Sequence, residues 1–378
     1  YRYQKMKSIS ATIFYLIIIS YSQQGKAQNA KSPIDCFIEQ KMNELGMVGV
    51  GTAVFVNKKL VWTQGYGYAD KDNKVPFTPN TIMNIGSISK TITGACLMHA
   101  VEEKRLSLDE DINNYLPFKV INPFFPKEIL TLRNLATHTS GITDQQALYE
   151  SSYFYGGDSP EQLRDFLRNY FTQNGKYYKK ENFLDSKPGS YYKYSNIAAG
   201  LAGFIVETMT GEKLNEYSML YIFKPLKMDN TGWFLSEIKL DNHSKLYSKL
   251  GDTIKPIKLY GFPTSPDGGV RTSVTDLSKF FMCLLNGGEL YGARILKKEL
   301  VKEMISPQFT LSKSPDNIDL EKDNSGIFWS IIDNGTKVGH NGSDPGVNTM
   351  MRYDPSKQVG VIFFMNTELS EVEMKKFM

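Results

Sequence analysis

The stretch that most constrains this chain runs from Ile88 to Val101. Ile88, Ile92, Ala95, Cys96, Leu97, Met98, Ala100 and Val101 make it apolar nearly all round. A helix of that kind has no face to give to water, so the rest of the chain must surround it. It opens with Asn84-Ile85-Gly86-Ser87-Ile88-Ser89-Lys90. A helix starting at Ser87 sets Ser87 and Lys90 at i and i+3, neighbours on one face, with the positive end of the helix at the serine. A lysine entering such a core must lose its charge or be paired, and a neutral amine is a base. Taken alone, Ser-x-x-Lys also fits a capping serine followed by an exposed lysine one turn on.

The 378 residues suit one large domain or two interleaved subdomains. Residues 1–27 read as a secretory signal. Lys5 and Lys7 precede an apolar stretch from Ile9 to Ile19, Gly25-Lys26-Ala27 offers a small-x-small cleavage site before Gln28, and Met6 reads as the initiator. The apolar stretch is short for a bilayer span, so cleavage is expected rather than an anchor, and no cysteine beside the site suggests a lipoprotein. The expectation is an exported protein, periplasmic or extracellular, with no stable membrane insertion after cleavage. Removing Arg2, Lys5, Lys7 and Lys26 from the 44 basic residues leaves 40, equal to the 40 acidic ones. A neutral mature chain gives no charge argument for nucleic acid or an anionic membrane as partner. Cys36, Cys96 and Cys283 are too few for a disulfide framework and are expected to be buried thiols.

Ser32, Pro33 and Asp35 mark the start of a helix carrying Ile34, Phe37, Ile38 and Leu45 on one face. Two extended runs follow, Val48 to Val56 and Leu60 to Tyr68, split by Asn57-Lys58 as a hairpin. Leu106 to Pro126 leads into a largely helical middle. There Ser159-Pro160-Glu161-Gln162 predicts a capping box, Ser195 to Gly211 a second apolar helix ended by its glycine, and Ser273 to Asp276 another helix start. Strands return at Phe328–Ile332, Thr336–His340, Val347–Tyr353 and Val359–Met365, joined by short turns that imply antiparallel pairing. Strands from both ends and helices from the middle predict an α+β fold: one antiparallel sheet flanked by helices, with a mostly helical subdomain inserted. The expected division is a single catalytic domain over 28–378, its sheet part 28–105 and 270–378, its helical part 106–269. The chain stops within an amphipathic segment containing Leu369, Val372 and Phe377, read as a truncated final helix.

Two further motifs join the first. Tyr194-Ser195-Asn196 stands at a loop-to-helix junction, where a phenol and an amide two residues apart can both face a cavity, although a serine there also serves as a cap. Gly339-His340-Asn341-Gly342-Ser343 lies on a strand whose glycines admit a substrate backbone, or else forms a tight turn with a surface histidine. The remaining histidines, His99, His138 and His243, do not assemble a triad with a Gly-x-Ser-x-Gly elbow. No metal-ligand spacing and no phosphate-cradling glycine loop occurs, so neither metal nor cofactor is expected.

With these motifs in order, the sequence resembles the serine β-lactamases of class C type and the related penicillin-binding DD-peptidases and esterases. The resemblance runs from about Ile34 to Asn366. It also includes Leu135-Ala136-Thr137-His138-Thr139-Ser140-Gly141-Ile142, Pro188 to Gly200, Phe223 to Met228, Gly268-Gly269-Val270 with Asp276-Leu277, Asn286-Gly287-Gly288 and Gly346. It implies Ser87 as acylated nucleophile, Lys90 as partner in its deprotonation and Tyr194 as proton shuttle. Asn196 would bind the substrate amide, and His340 would replace the lysine of Lys-Thr-Gly ahead of Gly342 and Ser343. The amides of Ser87 and Ser343 would form an oxyanion hole. Either Lys90 or Tyr194 could be the base. Histidine in place of a permanent cation weakens the grip on a substrate carboxylate, which ranks a DD-carboxypeptidase, D-aminopeptidase or esterase above an efficient β-lactamase. A penicillin-acylated sensor with little turnover is the other class. The implied substrates are cell-wall D-amino-acid peptides, β-lactams or esters. The aromatic run Tyr149, Tyr153, Phe154, Tyr155, with Tyr177 and Tyr178, is expected either to form a lip over the site or to pack locally.

Overall fold

The computed structural model describes residues 32–251 and 253–377. The signal-peptide reading of residues 1–27 lies outside them. Among the described residues, no helix is long and apolar enough to cross a membrane.

Helix α1 (Pro33–Leu45) starts as its residues dictate, with Ser32 and Asp35 in a reciprocal capping box. It leads into strands β1 (Gly49–Val56), β2 (Lys59–Asp70) and β3 (Val75–Pro76). Asn57 and Lys58 both take positive φ, 50° and 62°, as a two-residue hairpin turn of matching twist requires. The late strands are β4 (Asp323–Ser325), β5 (Ser330–Ile332), β6 (Lys337–Asp344), β7 (Val347–Asp354) and β8 (Val359–Met365). Together they form one eight-stranded sheet in the order β4-β5-β6-β7-β8-β1-β2-β3, antiparallel throughout. The last strand closes on the first, with Val50 opposite Met365 and Val56 opposite Val359.

Alternation along the strands gives the sheet two apolar faces. One packs on Ile34, Ile38 and Met42 of α1 and on Met374 and Phe377 of the C-terminal helix, through Val54, Met350, Val361 and Phe363. The other carries Phe55, Val347, Met351 and Phe364 and packs on the main core. In that core lies α2 (Ser89–Glu102), buried continuously from Ser89 to Met98, as its all-round apolar sequence demands. Three further helices complete it: α3 (Leu163–Phe171) packs on α4 (Asn196–Thr210), α4 packs on α2, and α5 (Val274–Leu285) packs on β1, β2 and β8, with α4 and α5 capped by Ser195 and Ser273. Gly211 ends α4 in the left-handed conformation. This is the α+β arrangement expected.

Four local expectations are corrected. The helix expected at Ser87 begins as a 3-10 turn, Gly86–Ile88, and becomes α-helical only at Ser89, because Gly86 at φ +52° bends the chain into the turn. The Ser159 capping box does not form: Gln162 is the N-cap, and Ser159 Oγ donates instead to the Glu161 carbonyl. The strand expected from Phe328 starts at Ser330, since Phe328 itself sits at φ +58°, and Asp323–Ser325 adds an edge strand outside it. Cys96 and Cys283 are buried thiols, but Cys36, on the outward face of α1, is exposed.

Candidate active site

The Gly86–Ile88 turn is held from three directions. Thr349 Oγ1 on β7 donates to the Ile85 carbonyl at 2.8 Å, the Ile85 amide donates to the Val270 carbonyl at 3.1 Å, and the Val270 amide donates to Ser89 Oγ at 3.0 Å. Strand β6 lies directly on it. A Cβ at Gly342 would fall 2.1 Å from the Ile85 oxygen, and one at Gly86 would fall 3.1 Å from the Ser343 nitrogen. Only glycine at 342 permits so close a backbone approach. The outcome is a serine whose position is fixed by the sheet and whose backbone neighbour across the gap is Ser343.

Ser87 and Lys90 meet as their spacing predicts, with Nζ 3.0 Å from Oγ. Lys90 Nζ also donates to Asn196 Oδ1 at 2.7 Å and to the Asp267 carbonyl at 2.6 Å. Both of these oxygens only accept. A neutral amine has two N–H bonds and one lone pair, so it satisfies both carbonyls and keeps the lone pair for the Ser87 hydroxyl proton. Lys90 is 0% exposed, and burial pulls its pKa down from 10.5 to about 8 against the opposing pull of Asp267 and Asp144. The bond from Lys90 fixes the orientation of the Asn196 amide and leaves Nδ2 as its donor end.

Asn196 is placed by the first turn of α4. Asp144 accepts from the amides of Asn196 at 2.8 Å and Ile197 at 3.1 Å, and from Ser195 Oγ at 2.7 Å. A carboxylate at a helix N-terminus binds orphan amides and matches the helix dipole. Tyr194 lies beside them, its ring centroid 5.0 Å from Lys90 Nζ and 4.2 Å from the His138 ring. His138 is buried, and its Nδ1 accepts from the Ser195 amide at 3.2 Å, which puts its proton on Nε2. Burial, then the nearby Lys90, holds its pKa well below 6.5, so it is a neutral prop behind Tyr194. The sequence shows it only as a histidine outside any triad; in the structure it sits at φ +59°.

His340 is on β6, on the face that Gly342 turns toward Ser87, but it is only 2% exposed. Its Nδ1–H donates to the Asn341 carbonyl at 2.6 Å. Burial first, and Lys90 second, lowers its pKa to about 3. The weak cation anticipated at this position is therefore a neutral imidazole over the whole physiological range.

The aromatic run does not form one lip. Tyr149 and Tyr153 turn inward, and their hydroxyls donate to Asp267 Oδ1 at 2.6 Å and Asp344 Oδ1 at 2.5 Å. Phe154 and Tyr155 point out, 46% and 48% exposed. Asp267 and Asp344 were not singled out in the sequence, nor was Asp144. Their only signal was adjacency: Asp267 precedes Gly268-Gly269, and Asp344 follows Ser343. Burial pushes Asp267 up to about 7 and Asp344 up to about 6.

Known proteins resemble this chain over most of its length. Over 339 residues the chain is 25% identical to protein flp of Staphylococcus aureus strain MRSA252, covering 89% of this chain and 63% of that protein. It thus spans less than two thirds of the length of that curated relative. Among solved structures, it superposes on an octameric penicillin-binding protein homologue from Pyrococcus abyssi with TM-score 0.73 and 27% identity, covering 88% of this chain and 72% of the other. The D-amino acid amidase of Ochrobactrum anthropi SV3 has the same fold, with TM-score 0.68, 22% identity and coverage of 89% and 92%. The sequence profile of the Beta-lactamase family matches residues 34–376, nearly all of the described chain, and the chain belongs to that family.

Proposed function

We propose that this protein is an exported serine hydrolase that cleaves amide or ester bonds through an acyl-enzyme on Ser87, with DD-carboxypeptidase-like, D-aminopeptidase-like or esterase specificity. The observation that carries this reading is the three-way contact of Lys90, in which two acceptor oxygens take the amine hydrogens and the lone pair is left facing Ser87. Ser87 Oγ attacks the carbonyl carbon while its proton passes to Lys90. The oxyanion forms toward the backbone amides of Ser87 and Ser343, and Asn196 Nδ2 donates to a carbonyl on the acyl side. Collapse breaks the C–N or C–O bond, and the leaving amine or alcohol departs with the proton relayed by way of Tyr194. Water then attacks the Ser87 ester, the acid is released and the hydroxyl is restored. The neutral His340 argues against tight capture of a substrate carboxylate, so β-lactam hydrolysis ranks below the peptidase and esterase activities. Export rests on the pattern of residues 1–27.

The test is an intact-mass time course of residues 28–378 with benzylpenicillin, D-amino-acid amides and short acyl esters, with Ser87→Ala as control. An adduct or turnover that depends on Ser87 is expected. A lasting penicillin adduct without turnover of any substrate would favour a sensor, and fast loss of drug a β-lactamase. Turnover that survives Ser87→Ala would overturn the reading.

A further inference from the structure

Beside the nucleophile lies a carboxylate that the acyl transfer does not use. A Cβ placed on Gly268 would sit 3.2 Å from the Phe262 ring, 3.6 Å from Asp344 Oδ2 and 3.7 Å from the Gly86 carbonyl carbon, so Asp344 lies close to the Ser87 turn. Asp344 also directly follows Ser343, whose amide faces that turn. Its Oδ1 is held by Tyr153, whereas Oδ2 takes no hydrogen bond from any described residue. No lysine or arginine forms an ion pair with it among the described residues; Lys90 and Arg271 act on it only through space. Arg271 is committed elsewhere, donating to the carbonyls of Trp233, Gly269 and Tyr260.

The surroundings of this carboxyl are aromatic. Tyr153 packs on Phe262 at 4.9 Å and on Tyr260 at 5.2 Å between ring centroids. Asp344 is half-buried, so part of the carboxyl remains open to water. A lone carboxylate oxygen with aromatic faces around it is complementary to an ammonium group, through one charge-assisted hydrogen bond and the negative faces of the rings. It is a poor neighbour for a carboxylate or for an uncharged acyl chain, which would bury the oxygen without a donor.

Resting on the serine-hydrolase reading above, we infer that Asp344, positioned by Tyr153, binds the free ammonium group of the acyl part of the substrate. The preferred substrates are then aminoacyl amides or peptides with an unblocked amino terminus, in preference to N-acylated ones. Asp344 is in this sense a specificity-determining residue.

The test uses the two enantiomers of alanine p-nitroanilide and their N-acetyl counterparts at pH 8, where the Asp344 carboxyl is ionised. Labelling of Ser87 by an uncharged alkyl fluorophosphonate, followed by intact mass, reports nucleophile competence independently. In the wild type, kcat/KM for the free amine should exceed that for its acetylated partner by about 10- to 100-fold. In Asp344→Asn that ratio should fall to near one. The wild-type ratio needs no variant to fold, and phosphonate labelling of the variant verifies that its site is assembled. If Ser87 is labelled but the wild type hydrolyses both forms equally, prefers the acetylated form or hydrolyses neither, the ammonium assignment is overturned and the serine chemistry stands. An undiminished ratio in Asp344→Asn overturns it too. If Ser87 is not labelled at all, the underlying hydrolase reading fails, and this inference with it.

Discussion

Lys90 should write its own titration into the reaction of Ser87. Its amine, held at about 8, must be neutral to accept the serine proton. From that value about 90% is neutral at pH 9, about 10% at pH 7 and about 1% at pH 6. Acylation should therefore fall about 90-fold from pH 9 to pH 6, approaching a tenfold loss per pH unit in the lower part of the range. The assay is kcat/KM for p-nitrophenyl acetate, corrected with Ser87→Ala, and Lys90→Met should lose both the rate and the acid limb. A profile flat from pH 6 to 9, or a Lys90→Met enzyme retaining the wild-type limb, would refute the assignment of the base. The same titration acts on stability. The unfolded lysine holds its proton up to about 10.5 and the folded one only to about 8, so between these values the unfolded chain binds more protons and stability rises with pH. The gap corresponds to about 3 kcal/mol, a penalty present in full below pH 8 and relieved above it. The difference in unfolding free energy between wild type and Lys90→Met, followed across that window, isolates this contribution.

Gly342→Ala must displace either the Ile85 carbonyl or β6, because its Cβ would lie 2.1 Å from that oxygen and 2.3 Å from Thr349 Oγ1. Loss of the Ser343 amide as an oxyanion donor should lower kcat by about 10²- to 10³-fold while circular dichroism shows the fold retained. Asp144→Ala strips three hydrogen bonds from the start of α4 and should cost about 2 kcal/mol in urea unfolding, with acylation falling as Asn196 loosens. Of the three thiols, only Cys36 should react with Ellman's reagent in the native protein, with Cys96 and Cys283 becoming reactive after denaturation.

What could be read from the sequence was what short spacing determines. Ser32 with Asp35, the Asn57-Lys58 turn, Ser195 and Ser273 as caps, and the meeting of Ser87 with Lys90 all involve residues within a few positions of each other. The bond from Lys90 to Asn196 joins residues 106 apart, and only the resemblance to a family suggested that the two belong together. The bond to Asp267 uses a main-chain carbonyl, which any residue could supply, so no side-chain pattern reveals it. Composition named the aromatic run but not its burial: the Tyr153 hydroxyl is held by Asp344, whereas the adjacent Phe154 and Tyr155 are exposed, although Tyr155 packs on the same Tyr260 ring as Tyr153. For His340 the residue type was plain and its environment was not: the loss of its charge follows from burial beneath β6's neighbours, a property of the packed sheet.

The closure of the sheet, β8 on β1, also sets a schedule for synthesis. Strand β1 pairs with β2 a few residues later, but its other edge waits for Val359–Met365, about 300 residues downstream. At ordinary translation rates of about 5–20 residues per second, that edge stays open for roughly 15 to 60 s after β1 emerges. Throughout that interval the nascent chain exposes Val50, Ala53, Val54 and Phe55 on a strand lacking one of its two neighbours, a template for pairing with other chains. The nucleophile turn cannot be clamped by Thr349 and Gly342 until the same late segment arrives. A chain that stops short of β7 is thus both prone to aggregation and chemically silent, and the hydroxyl of Ser87 becomes reactive only after the strands carrying Gly342 and Thr349 have been made and paired.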